Sequence, residues 1–173
     1  MAEVLVGLGS NLGDREANLR EAVRRLAAAG RVIAVSSLYQ TAPVGYADQD
    51  DFLNVCLLLE TSLPPEELLA HAQAIERALA RVRTIRNGPR TIDVDLLLWR
   101  DEAGAAVDPE GPPQLPHPRM LLRRFVLEPL AEIAGDWVHP LEDKTVAELL
   151  AALPAGDGVE RISSPTWPPS PTP

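Results

Sequence analysis

Asp93 and Asp95 sit two residues apart in the run Thr91-Ile92-Asp93-Val94-Asp95-Leu96-Leu97-Leu98. Successive side chains of a β-strand point to opposite faces, so both carboxylates leave the same side, their Cα atoms ~6–7 Å apart. The other side, Ile92, Val94, Leu96 and Leu98, is apolar throughout and reads as core. Like charges this close are costly unless a cation compensates them. A hard divalent ion, held by a few carboxylate oxygens and shared with substrate phosphates, is how magnesium is usually bound. Taken alone, an Asp-x-Asp pair more often forms structural ion pairs or faces water.

The residues just upstream change that balance. Arg81, Arg83, Arg86 and Arg90 crowd into a loop bearing Gly88-Pro89, in a chain of net charge −9. The planar guanidinium fork suits phosphate oxygens. Guanidinium groups and a metal together neutralise the charge that develops in phosphoryl transfer. Gln73 and Glu76 lie three apart on the preceding helical segment and share one face, which by itself marks only a surface. A second group suits a flat polar ring. Phe52 and Asn54 share a strand face, where an aromatic plate beside a carboxamide can stack a heterocycle and read its edge. His117, Arg123 and Phe125 follow Leu115-Pro116 and add a second aromatic.

Other motifs carry less. Gly7, Gly9 and Gly13 open a helix without the Gly-x-Gly-x-x-Gly spacing of a dinucleotide loop, and no Gly-x-x-x-x-Gly-Lys-Ser/Thr string exists. Cys56, between Val55 and Leu57, reads as core, and His71 and His139 as structural. Two rival readings stay open on the residues alone: a sugar-nucleotide transferase using Asp-x-Asp, and a ligand-binding module without catalysis.

The elements that must position these groups follow from periodicity. Strands are expected over 4–9, 31–39, 52–60 and 91–99. A helix capped by Asp14 carries the stripe Leu19, Ala22, Val23, Leu26 and Ala27, with Gly30 placed to end it. Pro64 and Pro65 open a second helix with Leu68, Ala72, Ile75 and Leu79 inward. Short helices are expected over 127–134 and 145–153, and loops over 41–51, 83–90 and 101–117. Helices alternating irregularly with strands point to an α+β or mixed α/β sandwich. We expect one catalytic domain over 1–160 and a disordered proline-rich tail over 161–173.

At 173 residues with 46% hydrophobic content, one domain with a real core is expected. The net charge of −9 argues against nucleic acid or a membrane surface as partner. A single cysteine excludes an internal disulfide, and the N-terminus lacks the pattern of a signal peptide, so the cytoplasm is the expected location.

Leu8-Gly9-Ser10-Asn11-Leu12-Gly13-Asp14, Leu53-Asn54, Gly88-Pro89-Arg90-Thr91-Ile92-Asp93-Val94-Asp95 and Leu115-Pro116-His117-Pro118-Arg119 occur in this order. Together they resemble the hydroxymethyl-dihydropterin pyrophosphokinases of folate biosynthesis, over about 4–153. The resemblance implies an α+β, ferredoxin-like, three-layer α-β-α sandwich with a mainly antiparallel sheet. It implies transfer of pyrophosphate from ATP to the hydroxymethyl group of 6-hydroxymethyl-7,8-dihydropterin, releasing AMP. Asp93 and Asp95 would hold two Mg²⁺ ions, and Arg81, Arg83 and Arg90 would act on the phosphates as catalytic residues. ATP would also meet Gln73, Glu76, His117 and Arg123, with Leu96 and Gln114 near the adenosine. Phe52 and Phe125 would sandwich the pterin, while Thr41, Asn54 and the backbone near Pro43 and Val44 read its edge. A monomer acting on small molecules is expected. Asn87 stands where many relatives carry tryptophan, and Met120-Leu121-Leu122 is more apolar than the family pattern.

Overall fold

The computed structural model describes residues 1–42, 49–80, 91–154, 156 and 158–170. The apolar run at the N-terminus becomes β1 (Ala2–Ser10), the spine of an antiparallel sheet. It pairs with β4 (Phe52–Thr61) on one side and with β5 (Asp93–Arg100) on the other. β2 (Arg31–Val35) and β3 (Leu38–Thr41) lie along the far edge of β4, and β8 (Val159–Ile162) pairs with β3. β6 (Val138–His139) and β7 (Lys144–Thr145) form a separate two-stranded ribbon.

Strand alternation gives the sheet two apolar faces, and each takes a helix layer. Val4, Val6, Leu8, Leu53, Val55, Leu57 and Leu59 meet α1 (Arg15–Leu26) and α2 (Pro65–Leu79). Leu5, Cys56, Leu58, Leu97 and Leu98 meet α3 (Arg124–Ala134) and α4 (Val146–Ala152). The result is the expected α-β-α sandwich. Each fully buried leucine, such as Leu19 or Leu127, contributes about 1.5–3 kcal/mol relative to exposure. Helix starts follow local chemistry. The Asp14 carboxylate accepts the Ala17 N–H at 3.1 Å, Pro65 opens α2, and Thr145 with Glu148 forms a capping box on α4.

Several expectations are corrected. Gly30 does not end α1, which stops at Leu26. Its role is close approach, since a Cβ there would stand 2.1 Å from the Glu60 carbonyl oxygen. Ala27 is exposed and Ala29 takes the buried position. The strand expected over 31–39 breaks at Ser36, whose hydroxyl accepts the Cys56 N–H at 2.9 Å. Leu98 does not share a face with Leu96. Leu5 pairs with Leu98 but Val6 with Leu96, so Leu97 is a bulge residue and turns the end of β5 over. Leu96 therefore joins the α1/α2 core, while Leu97 and Leu98 join the α3/α4 core.

Within the segment expected to be a loose tail, Arg161 and Ile162 belong to β8. Trp167 packs on the α1 core, and its indole N–H donates to the Ser36 carbonyl at 2.8 Å. Arg20 reaches the Thr166 carbonyl, and the Thr166 hydroxyl donates to Glu16. Proline content concealed one large apolar side chain able to anchor the segment. No helix among the described residues is long and apolar enough to cross a membrane.

Candidate active site

The α3/α4 layer covers only part of its sheet face. Beyond Leu97 and Cys56 the same face continues as Gly7, Gly9, Thr41, Phe52, Asn54, Asp93 and Asp95, lining a cavity of ≈ 460 Å³. Its remaining wall is the segment before and into α3: His117, Arg119, Leu122, Arg123 and Phe125. Strand register sets the spacing on the floor. Asn54, Gly9 and Asp93 form one row across β4, β1 and β5, and Cys56, Gly7 and Asp95 the next. With strands ~4.8 Å apart, the central glycines leave a trough ~10 Å wide between the carboxamide and the carboxylates.

The carboxamide is oriented. Asn54 Nδ2 donates to Thr41 Oγ1 at 2.7 Å, a buried bond that turns Oδ1 toward Gly9. Phe52 precedes it on the same face and pairs in register with Thr41. Across the cavity the Arg123 guanidinium lies 5.4 Å from the Phe125 ring centroid, within cation–π range.

The wall is pinned to the floor by one backbone bond. The His117 N–H donates to the Leu97 carbonyl at 2.8 Å, at the bulge and two residues beyond Asp95. His117 Nδ1 accepts the Arg119 N–H at 3.2 Å, so the neutral ring carries its proton on Nε2. Burial first, then the charges of Arg123 and Arg119, push its pKa down to about 4. It is therefore a neutral donor near pH 7. Burial raises the Cys56 thiol well above its ordinary range, with Asp95 adding to the effect. A protonated thiol is not a metal ligand.

Asp93 and Asp95 form an oxygen-only pair, and no cluster of three or more His, Cys, Asp or Glu suited to a metal exists among the described residues. Two carboxylates with space for substrate oxygens fit magnesium, which keeps several non-protein ligands. On the other face, Glu76 Oε2 accepts the Val94 N–H at 3.1 Å and so closes the outer edge of β5 beside the two aspartates.

Of the residues expected at the site, Thr41, Phe52, Asn54, Asp93, Asp95, His117, Arg123 and Phe125 line this one cavity. Gln73 is exposed on α2, Gln114 is exposed before His117, and Leu96 is buried against the α1/α2 layer; these and Glu76 do not line it. Arg81, Arg83, Arg86, Asn87, Arg90, Pro43 and Val44 lie outside the described residues. Gly7, Gly9, Arg119 and Leu122 line the cavity without having been expected there. The alternation Gly7-x-Gly9, opposite core residues Val6 and Leu8, was the legible signal for the two glycines. None marked Leu122.

The sequence profile of the 7,8-dihydro-6-hydroxymethylpterin-pyrophosphokinase (HPPK) family matches residues 5–135 of this chain. The chain belongs to that family. The 2-amino-4-hydroxy-6-hydroxymethyldihydropteridine pyrophosphokinase of Bacillus subtilis is 53% identical over 132 residues, covering 74% of this chain and 75% of the relative. The enzyme of the same name from Methylorubrum extorquens is 47% identical over 164 residues, 94% of this chain and 99% of its own. Among solved structures, the wild-type HPPK-DHPS of Plasmodium falciparum with pterin and p-hydroxybenzoate superposes with a TM-score of 0.65 at 15% identity. That match covers 87% of this chain and 42% of the longer one, and it bears on the fold.

Proposed function

We propose that this chain, as a cytoplasmic monomer with a single catalytic domain, transfers pyrophosphate from ATP to 6-hydroxymethyl-7,8-dihydropterin in folate biosynthesis. One observation carries the reading: two carboxylates on one strand share a cavity with an oriented carboxamide, two phenylalanines, a neutral histidine and Arg123. The pterin ring stacks between Phe52 and Phe125. Asn54 Oδ1 accepts from its amino edge, while Thr41 holds the amide in place. The hydroxymethyl oxygen attacks the β-phosphorus of ATP. A new O–Pβ bond forms, the bond from Pβ to the α,β-bridging oxygen breaks, AMP departs, and the hydroxyl proton passes to solvent.

Asp93 and Asp95 would hold Mg²⁺, two ions in our reading, supplying charge neutralisation at the phosphates and a template for their alignment. His117 Nε2–H and Arg123 bind phosphate oxygens at the opposite wall, with Arg81, Arg83 and Arg90, which precede β5 in the chain, completing the set. Gln73, Glu76, Leu96 and Gln114 are assigned to the nucleotide side. Positioning and electrostatic stabilisation account for most of the rate, as phosphoryl transfer asks little covalent chemistry of a protein.

The test is formation of AMP and the pterin diphosphate from ATP and 6-hydroxymethyl-7,8-dihydropterin with added Mg²⁺. Asp95→Asn should lower kcat by about a hundredfold or more, as expected when a metal carboxylate is lost. Chelation should stop the wild type and Mg²⁺ restore it. No AMP above background from the wild type would remove the reading.

A further inference from the structure

Arg119 is the charged residue lining the cavity to which the reaction as described assigns no role. Among the described residues, Arg20, Arg24, Arg25, Arg31, Arg100 and Arg124 each have a glutamate within 3.4 Å. Arg119 lines the cavity, is exposed, and has no carboxylate at ion-pair distance among the described residues. Its backbone is held, since its N–H donates to His117 Nδ1 at 3.2 Å. The Arg119 backbone is therefore fixed beside His117, on the same wall as Arg123, and its exposed side chain meets no carboxylate among the described residues. A guanidinium at the cationic wall of a phosphate site, with no carboxylate partner among the described residues, is poised for a bidentate contact with phosphate oxygens.

We propose that Arg119 is a further nucleotide-binding residue, taking oxygens of the ATP polyphosphate beside His117 and Arg123. This rests on the reading of the cavity as an ATP:pterin site. Arg119 acts on affinity for the anionic tail and leaves the pterin subsite, formed by Phe52, Asn54 and Thr41 on the floor, alone. Its side chain can be removed cleanly, because the bond to His117 uses the backbone N–H, which every substitution except proline keeps.

The experiment is titration calorimetry of the full chain with α,β-methylene-ATP and Mg²⁺, and separately with the pterin. Arg119→Ala should weaken the nucleotide analogue roughly three- to tenfold, the range for a charge-assisted contact at a partly solvated site. Arg119→Lys should recover part of the loss and Arg119→Gln none, with the salt dependence of binding reduced in both Ala and Gln variants. Arg31→Ala removes the same unit of charge far from the cavity and should leave the analogue's affinity unchanged. Unchanged affinity in Arg119→Ala, an equal loss in Arg31→Ala, or a loss shared equally by the pterin would each overturn the proposal. A wild type that binds the analogue but yields no AMP would instead count against the reaction, while the comparison of variants still decides Arg119.

Discussion

Asn54 Oδ1 occupies the space that a side chain on Gly9 would need: a Cβ built at Gly9 stands 2.8 Å from it, closer than such contacts are found. The pairing of a bare backbone on β1 with a carboxamide on β4 explains why this glycine lies in a strand interior, where it costs conformational entropy. The missing side chain is what lets the amide lie over the floor of the cavity.

Gly9→Ala should therefore displace the Asn54 amide and break its bond to Thr41. We expect KM for the pterin to rise about tenfold or more, since a buried polar pair is left mismatched, with little change in KM for ATP. Gly7→Ala is the informative contrast. Its added methyl meets Leu97 Cδ1 at 3.3 Å, the end of a flexible side chain that can give way. Steady-state kinetics on both variants checks this; equal effects on both substrates would show that Gly9 acts only through stability.

His117 should stay uncharged well below the usual histidine range. Its folded pKa, about 4, lies below the unfolded value, so the unfolded chain takes up the proton first as pH falls. The stability that goes with the neutral ring is complete above pH ~6.5 and is lost progressively as pH drops from ~6.5 toward 4. Denaturant unfolding across that window should show the decline, and His117→Gln should flatten it. NMR titration of the ring protons, assigned by their absence in the same variant, should give a midpoint near 4; a midpoint near 6.5 would contradict the burial and the arginine neighbours seen here.

Trp167 should matter for stability and not for catalysis. It packs on the α1 side of the sheet and donates to the Ser36 carbonyl, whereas the cavity opens on the other face. Trp167→Ala should cost about 1–3 kcal/mol, less than a fully enclosed aromatic because the ring is only partly buried. The measurement is urea unfolding beside kcat/KM of the folded enzyme. A loss of kcat/KM without a loss of stability would place the segment nearer the chemistry than its contacts do.

Local pattern carried far in this protein. Period-two alternation alone put Asp93 with Asp95 on one face of their strand and Phe52 with Asn54 on one face of theirs, and both pairs line the cavity. Apolar stripes placed α1 and α2, and Asp14 marked where α1 begins. These properties depend on neighbours within a few residues, so the chain states them directly. What periodicity could not state is which half of a sheet face a helix covers, or which strand lies beside which.

Tertiary structure decided that Thr41, Asn54, Asp93 and His117 meet, residues drawn from β3, β4, β5 and the segment before α3. It decided that one extra residue at Leu97 would turn Leu98 to the opposite core, because a bulge depends on pairing with Leu5 and Val6 across the sheet. It also lowered the His117 pKa and seated Trp167, since burial is set by what the rest of the chain brings alongside. Residue types and spacing settled what chemistry was available; long-range register and helix docking settled where those groups converge.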